Sequence, residues 1–258
     1  MEFYRNKPSS RPFAVALIAD IHGNLAALHA VLADLTQQQY DALIIAGDLI
    51  SNGPQPLETL ALIRELHVPA IYGNGERAIV EARPKNLLAC WTRQQIGDEG
   101  AAYLAGLPFS YRIAAPQSSS PETDLLIVHA TPTSVTDILI LEPHPSVPSY
   151  PTPTPEHEAK RMLGDARANL IIYGHIHYAS AGTIGAQRLA SIGAVGFPFD
   201  GNQQAAYALV TWHDEGQWLV THHRVTYDYE RTLEAIYRSG QPSADMYARR
   251  LRSASWCR

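Results

Sequence analysis

Compact apolar runs that close on polar residues recur along the first two thirds of the chain. FAVALIAD (13–20) ends on Asp20, ALIIAGD (42–48) ends on Asp48, and VPAIYG (68–73) leads into Asn74. LLIVHA (125–130) carries His129, and LIIYGHIH (170–177) carries His175 and His177. Between the first three runs, NLAALHAVLADL and PLETLALIREL place apolar residues at helical spacing, with Asn24 set as an N-cap. Strand, helix, strand, helix, strand predicts a parallel sheet covered by helices, whose C-terminal strand ends share one rim. A further helix is expected around Trp91–Leu104.

The texture then changes. GTIGAQRLASIGAVG, AAYALVTW and QWLVTHHRV read as consecutive antiparallel strands joined by turns, and Tyr229–Arg252 reads as one or two helices. Arg249, Arg250 and Arg252 are expected on a solvated helix face. EPHPSVPSYPTPTPE stands apart, because its prolines exclude helix and central strand. It predicts an extended, solvated loop, with a lid over a site as the sharper alternative. No internal repeat is visible. One domain over 1–258 is expected, with a proline-rich insertion at 143–155 and a helical tail at 229–258.

Composition narrows the classes. At 258 residues with 46% hydrophobic side chains, the chain can bury a sizeable core. A net charge of −5 argues against a general nucleic-acid or membrane-surface binder. Cys90 and Cys257 lie far apart without a partner motif, so a reducing, cytoplasmic setting is expected. The first twelve residues lack the apolar core of a signal peptide, and 13–19 is too short to span a membrane.

The candidate chemistry sits at the strand ends: Asp20 with His22, Asp48, Asn74, His129, and His175 with His177. Each alone is ordinary turn chemistry, and Asn74-Gly75 is a hairpin-turn signal in its own right. Together on one rim, carboxylates, imidazoles and one amide oxygen suit two divalent transition ions better than calcium or a structural zinc. Two ions roughly 3.5–4 Å apart form a clamp for displacement at phosphorus, and Asp48 is the carboxylate placed to bridge them. His29, His67, His213, His222 and His223 are expected outside the site.

DIHGN, GDLISNGP, GNGE, VHA and GHIH, in this order, resemble the five blocks of the calcineurin-like metallophosphoesterase superfamily. GDLISNGPQP and SIGAVGFPFDG resemble its compact bacterial and archaeal phosphoesterases, and the likeness spans roughly Phe13 to Gly201. The resemblance implies a four-layer α/β/β/α sandwich of two mixed sheets flanked by helices. It implies Asp20, His22 and His177 on one ion and Asn74, His129 and His175 on a second, with Asp48 bridging. Gly23, Gly47 and Gly174 would let the backbone turn tightly beside the ions. Manganese is the first expectation for both ions, with iron, nickel and zinc compatible.

The implied activity is hydrolysis of a phosphodiester or phosphomonoester by metal-bound hydroxide, with Asp48, Asn74 and His129 in catalytic roles. The substrate would be a phosphorylated small molecule or nucleotide, contacted by Asn74 and Arg77. Three departures stand out. Gly75 replaces the His or Cys that relatives carry, so the general acid is missing and the site has an opening there. Restoring His at 75 is then expected to raise monoesterase activity. Phe199 stands where an Arg is common, and Ala130 replaces the Gly after His129. Glu76 is expected to orient a ligand or the loop, or to lie in a solvated turn. Two alternatives follow: a catalytically weak interaction module with a protein partner, or a phosphoprotein phosphatase or dinucleoside polyphosphate hydrolase.

Overall fold

The computed structural model describes residues 11–256 except 117, 119, 214 and 215. The expectations for residues 1–10 and for Cys257 fall outside that range. In chain order the elements are β1 (Ala14–Ile18), α1 (Leu25–Leu35), β2 (Ala42–Ile45), α2 (Pro56–Glu65), α3 (Asn74–Glu81), α4 (Leu87–Ala105), β3 (Ser110–Ile113) and β4 (Leu125–Val128). There follow α5 (Glu156–Leu163), β5 (Leu170–Tyr173), β6 (Ala179–Ile184), β7 (Gln187–Ile192), β8 (Ala205–His213), β9 (Gln217–Val225), α6 (Tyr229–Arg238) and α7 (Ala244–Ser253).

The strands form two mixed sheets, ordered β2-β1-β8-β9 and β3-β4-β5-β7-β6. Alternation along each strand builds three apolar layers, because successive side chains leave a strand on opposite faces. In β1, Ala16 and Ile18 turn toward Leu28, Val31, Leu60 and Ile63 of α1 and α2. Val15 and Leu17 turn inward, meeting Leu125, Ile127, Leu170 and Ile172 of the other sheet. Leu126, Val128, Ile171 and Tyr173 face outward onto α5 and onto the tail helices α6 and α7. Helix, sheet, sheet, helix is thus the layer order, as the resemblance implied. Asn24 caps α1, its Oδ1 accepting from Ala27 N at 3.1 Å.

The single rim expected from the sequence is corrected. β1 and β2 pair in parallel in one sheet, while β4 and β5 pair in parallel in the other. Their C-terminal ends still meet at one end of the molecule, because Asp20 N donates to Gly47 O and His175 N donates across to Asp20 Oδ2. VPAIYG also falls short of a strand. It makes one parallel bridge, Ile45 to Ala70, since Pro69 has no N–H to extend a ladder. The later strands are antiparallel within β6–β7 and within β8–β9. They divide between the sheets, however, with β7 parallel to β5 and β8 beside β1.

The proline-rich segment is not wholly solvated. Val147 is buried in the outer layer, and Ile140 and Thr154 close the loop with hydrogen bonds of 2.8 Å in both directions.

Candidate active site

Six of the seven expected side chains gather at the converging strand ends. Asp20 and His22 follow β1, Asp48 follows β2, and Asn74 opens α3. His129 follows β4, while His175 and His177 follow β5. Asp20, His22, Asp48 and His177 form a buried cluster whose donor atoms all lie within 4.8 Å of one another. Asn74 and His129 adjoin it, with Asn74 Oδ1 3.0 Å from His129 Nε2. The His175 ring stands edge-on to that of His129 at 5.2 Å, which brings the seventh alongside.

Asp48 sits between the two halves. Its Oδ2 lies 3.5 Å from His22 Nε2 and its Oδ1 lies 3.4 Å from His129 Nε2. Three imidazoles are fixed from behind by backbone carbonyls: His22 Nδ1 lies 2.8 Å from Ser51 O, His129 Nδ1 2.9 Å from Ala46 O, and His177 Nδ1 2.7 Å from Phe197 O. An Nδ1–H donated to each carbonyl leaves the Nε2 lone pair aimed into the site, as a metal-binding imidazole requires. Burial holds His22 below its usual range and His177 well below it, and burial with neighbouring His129 lowers His175 to about 4. These rings are neutral at neutral pH, the form in which an imidazole can offer a lone pair to a metal.

The backbone is strained to make this arrangement. Asp20, His22, Asp48, His175 and His177 all have left-handed φ, between 50° and 65°. Each such non-glycine residue costs of order 1–3 kcal/mol. Five at one place mark a site held by its surroundings rather than by local preference.

The donor set fits divalent ions. His22 Nε2 and His177 Nε2 face each other at 3.0 Å, and two lone pairs at that distance repel. Asp20 Oδ1 is buried without a hydrogen-bond partner, 3.5 Å from His177 Nε2 and 3.9 Å from His22 Nε2. A cation among these three groups would satisfy all of them. Asp20 is pushed well above the usual carboxylate range by its burial and by the charge of Asp48. For Asp48 itself, burial acts upward, but His129, His22 and the Gly75 N–H outweigh it and hold the carboxyl down.

Glu76 is fully buried, not in a solvated turn. Its carboxylate accepts from the backbone N–H groups of Asp48 at 2.8 Å, Leu49 at 2.8 Å and Gly73 at 2.9 Å. It ties the start of α3 to the Asp48 loop. Burial and Asp48 raise its carboxyl to about 8, and any cation beside Asp48 acts in the opposite direction.

Gly75 leaves no opening. A Cβ there would collide with Ser51 Oγ and would stand 2.7 Å from Ser51 Cβ and 2.9 Å from Asp48 Oδ1. Ser51, itself buried, fills that volume with its Oγ 3.0 Å from His22 Nδ1. Ser51 carries no signal at the level of sequence, because its position opposite Gly75 depends on how two loops meet.

Arg77 is not brought into the cluster. It lies exposed on α3, its Nε 4.0 Å from Glu81. Phe199 stacks on His177, with ring centroids 4.4 Å apart and planes 8° from parallel. The solvated arginine face is corrected in part: Arg249 and Arg252 are exposed, but Arg250 is buried. No helix among the described residues is long and apolar enough to cross a membrane.

Residues 13–215 match the family model of the calcineurin-like phosphoesterase superfamily domain. An uncharacterized protein of Methanocaldococcus jannaschii is 26% identical over 250 residues, covering 88% of this chain and 93% of that protein. Serine/threonine-protein phosphatase 1 of Salmonella typhimurium is 34% identical over 91 residues, covering 35% of this chain and 42% of the phosphatase. The crystal structure of a metallophosphoesterase from Sphaerobacter thermophilus superposes with a TM-score of 0.70 at 24% identity, covering 94% of this chain and 100% of that one.

Proposed function

The chain belongs to the calcineurin-like phosphoesterase superfamily, and on that premise we propose that it is a metal-dependent hydrolase of phosphoric esters with a dinuclear site. Asp20, His22 and His177 would hold one ion, Asn74, His129 and His175 the other, and Asp48 would bridge. The observation that carries this reading is the position of Asp48, whose two carboxylate oxygens face the two halves of the site at 3.5 and 3.4 Å. Bound divalent ions would supply Lewis-acid charge to a phosphoryl oxygen and make water a nucleophile at neutral pH.

The protein's own groups orient and exclude. Backbone carbonyls fix the tautomers of His22, His129 and His177, and Glu76 holds the Asp48 loop against α3. Ser51 keeps any side chain out of position 75, so no acid at that position protonates the leaving oxygen. A missing general acid costs about 10²–10⁴ in rate where the leaving group needs a proton. The site therefore favours esters with stable leaving groups: aryl diesters and phosphoanhydrides ahead of alkyl monoesters. A small phosphorylated molecule or nucleotide is the substrate class. Manganese is the first metal, with iron, nickel and zinc suited to the same oxygen and nitrogen donors.

The test is hydrolysis of bis-p-nitrophenyl phosphate and p-nitrophenyl phosphate by metal-stripped protein reloaded with manganese, nickel, zinc or magnesium. Turnover is expected only with metal, faster on the diester, and abolished in Asp48→Ala with the fold retained by circular dichroism. Two bound ions without turnover on either ester would overturn the reading in favour of an interaction module.

A further inference from the structure

The helical tail lies beyond the residues matched by the family model, yet its side chains reach the loops that hold two of the candidate ligands. Thr232, on α6, and Gln241, between α6 and α7, are polar and buried. Gln241 Nε2 donates to Asn52 O at 3.3 Å, while its Oε1 is buried without a partner. Thr232 Oγ1 donates to Asn24 Oδ1 at 2.8 Å, and the Tyr227 hydroxyl, just ahead of α6, accepts from Asn24 Nδ2 at 3.1 Å. A buried polar atom left unpaired costs about 1–3 kcal/mol. A buried glutamine satisfied at one end alone therefore needs a reason at that end.

Both grips fall one peptide away from a carbonyl that fixes an imidazole. Asn52 follows Ser51, whose O lies 2.8 Å from His22 Nδ1. Asn52 has a left-handed φ of 69°, and a Cβ on Gly53 would collide with His22 O, so this loop holds an unfavourable backbone tight against the ligand. Asn24 Nδ2 also donates to Gly196 O at 2.9 Å. Gly196 precedes Phe197, whose O lies 2.7 Å from His177 Nδ1. The other half of the site is held differently. Ala46 O, behind His129, directly follows β2, and the Ala46 N–H donates to Ile18 O, so the sheet itself places that carbonyl. His175 is hydrogen-bonded by the backbone of Thr136, in the loop after β4.

We propose that Thr232 and Gln241 are positioning residues for the His22–His177 half of the site. Docking of the tail holds the Ser51 and Phe197 carbonyls in place, and so keeps both imidazoles in the Nδ1–H form with Nε2 free for an ion. The proposal rests on the metal assignment within the phosphoesterase reading. It adds that affinity for the two ions is set separately, by the tail at His22 and His177 and by the sheet at His129.

The experiment compares metal-stripped wild type, Thr232→Val, Gln241→Leu and the double variant. Imidazole nitrogen NMR reads the tautomer of each histidine. Zinc, buffered by a competing chelator, is then titrated in, and each half reports its own affinity through its imidazole signals. At the His22–His177 half, zinc affinity is expected to fall about 3- to 10-fold in each single variant, as for loss of one hydrogen bond. It should fall further in the double variant, with a larger Nε2–H share at these two rings. Affinity and tautomer at His129 and His175 should not change. An equal fall in both halves would mean that the tail only stabilises the fold, and would overturn the proposal, as would unchanged affinity at His22 and His177. If Gln241→Leu does not fold, Thr232→Val decides alone. A half-specific loss in a protein that hydrolyses neither p-nitrophenyl ester would sink the phosphoesterase reading and leave the clamp standing. Turnover by wild type with unchanged zinc affinities in the variants would sink the clamp alone, and a wild type that binds no zinc would sink both.

Discussion

Placing an imidazole at position 75 requires Ser51 to leave, because that hydroxymethyl group already occupies the space a Cβ would need. The expectation that Gly75→His restores monoesterase activity therefore fails on packing before it can be tested on chemistry. Overpacking a tight site costs typically 1–3 kcal/mol, and here the strain falls on Asp48, whose Oδ1 accepts the Gly75 N–H at 2.7 Å. Gly75→His alone should lower both the denaturation midpoint and diesterase turnover. Ser51→Gly with Gly75→His should recover the midpoint and raise p-nitrophenyl phosphate turnover by up to about 10²-fold, the scale of a general acid. If the single variant gains monoesterase activity, Ser51 is not the obstacle. The seven ligand candidates were legible because metal chemistry restricts residue types so sharply. Ser51 was not, because a serine carries no such restriction and acquires its place only through tertiary packing.

At the scale of elements, periodicity served where a segment packs one face against a layer and failed where something else sets the structure. α1 and α2 follow their apolar spacing. VPAIYG has the composition of a strand but the ladder stops at one bridge. α3 was hidden behind an Asn-Gly turn signal, since its start depends on Glu76 reaching three backbone N–H groups. α4 shows the reverse: a continuous helical pattern is broken at Gly97, with φ 64° and ψ −170°. That conformation is open almost exclusively to glycine, and a Cβ there would meet nothing within 4 Å. Helix propensity alone predicts that Gly97→Ala stabilises by about 1 kcal/mol. The observed backbone predicts destabilisation by about 1–3 kcal/mol instead. The sign of the shift in urea midpoint decides between them, and a stabilised variant would mean that α4 straightens freely.

For the whole molecule, the site is where two sheets are joined. Asp20, His22, Asp48 and Asn74 come from the side of β1 and β2, and His129, His175 and His177 come from β4 and β5. Periodicity could show that these strand ends belong together, and it took the family resemblance to imply two sheets, because parallel strands buried on both faces read alike in either. This division has a thermodynamic consequence. Without cations, Asp20, Asp48 and Glu76 lie buried beside one another, and burial first, then the neighbouring charge of Asp48, pushes the carboxyls of Asp20 and Glu76 upward. An ion held by the proposed ligands from both sheets would remove that repulsion and tie the sheets together. Such an ion would stabilise the folded state by RT ln(1 + [L]/Kd), about 2.7 kcal/mol at a hundredfold excess over Kd. For a chain of this size that is roughly 5–10 °C in midpoint. Chelation should therefore lower the midpoint by that amount, and manganese should restore it. Hydrogen exchange should accelerate at 19–23, 46–52, 129–131 and 174–178 while the β8–β9 hairpin stays protected, since its nine-residue ladder has no share in the site. Equal midpoints and equal exchange with and without metal would mean that the two sheets are held by the apolar layer between them alone, and that the strained strand ends are stable without an ion.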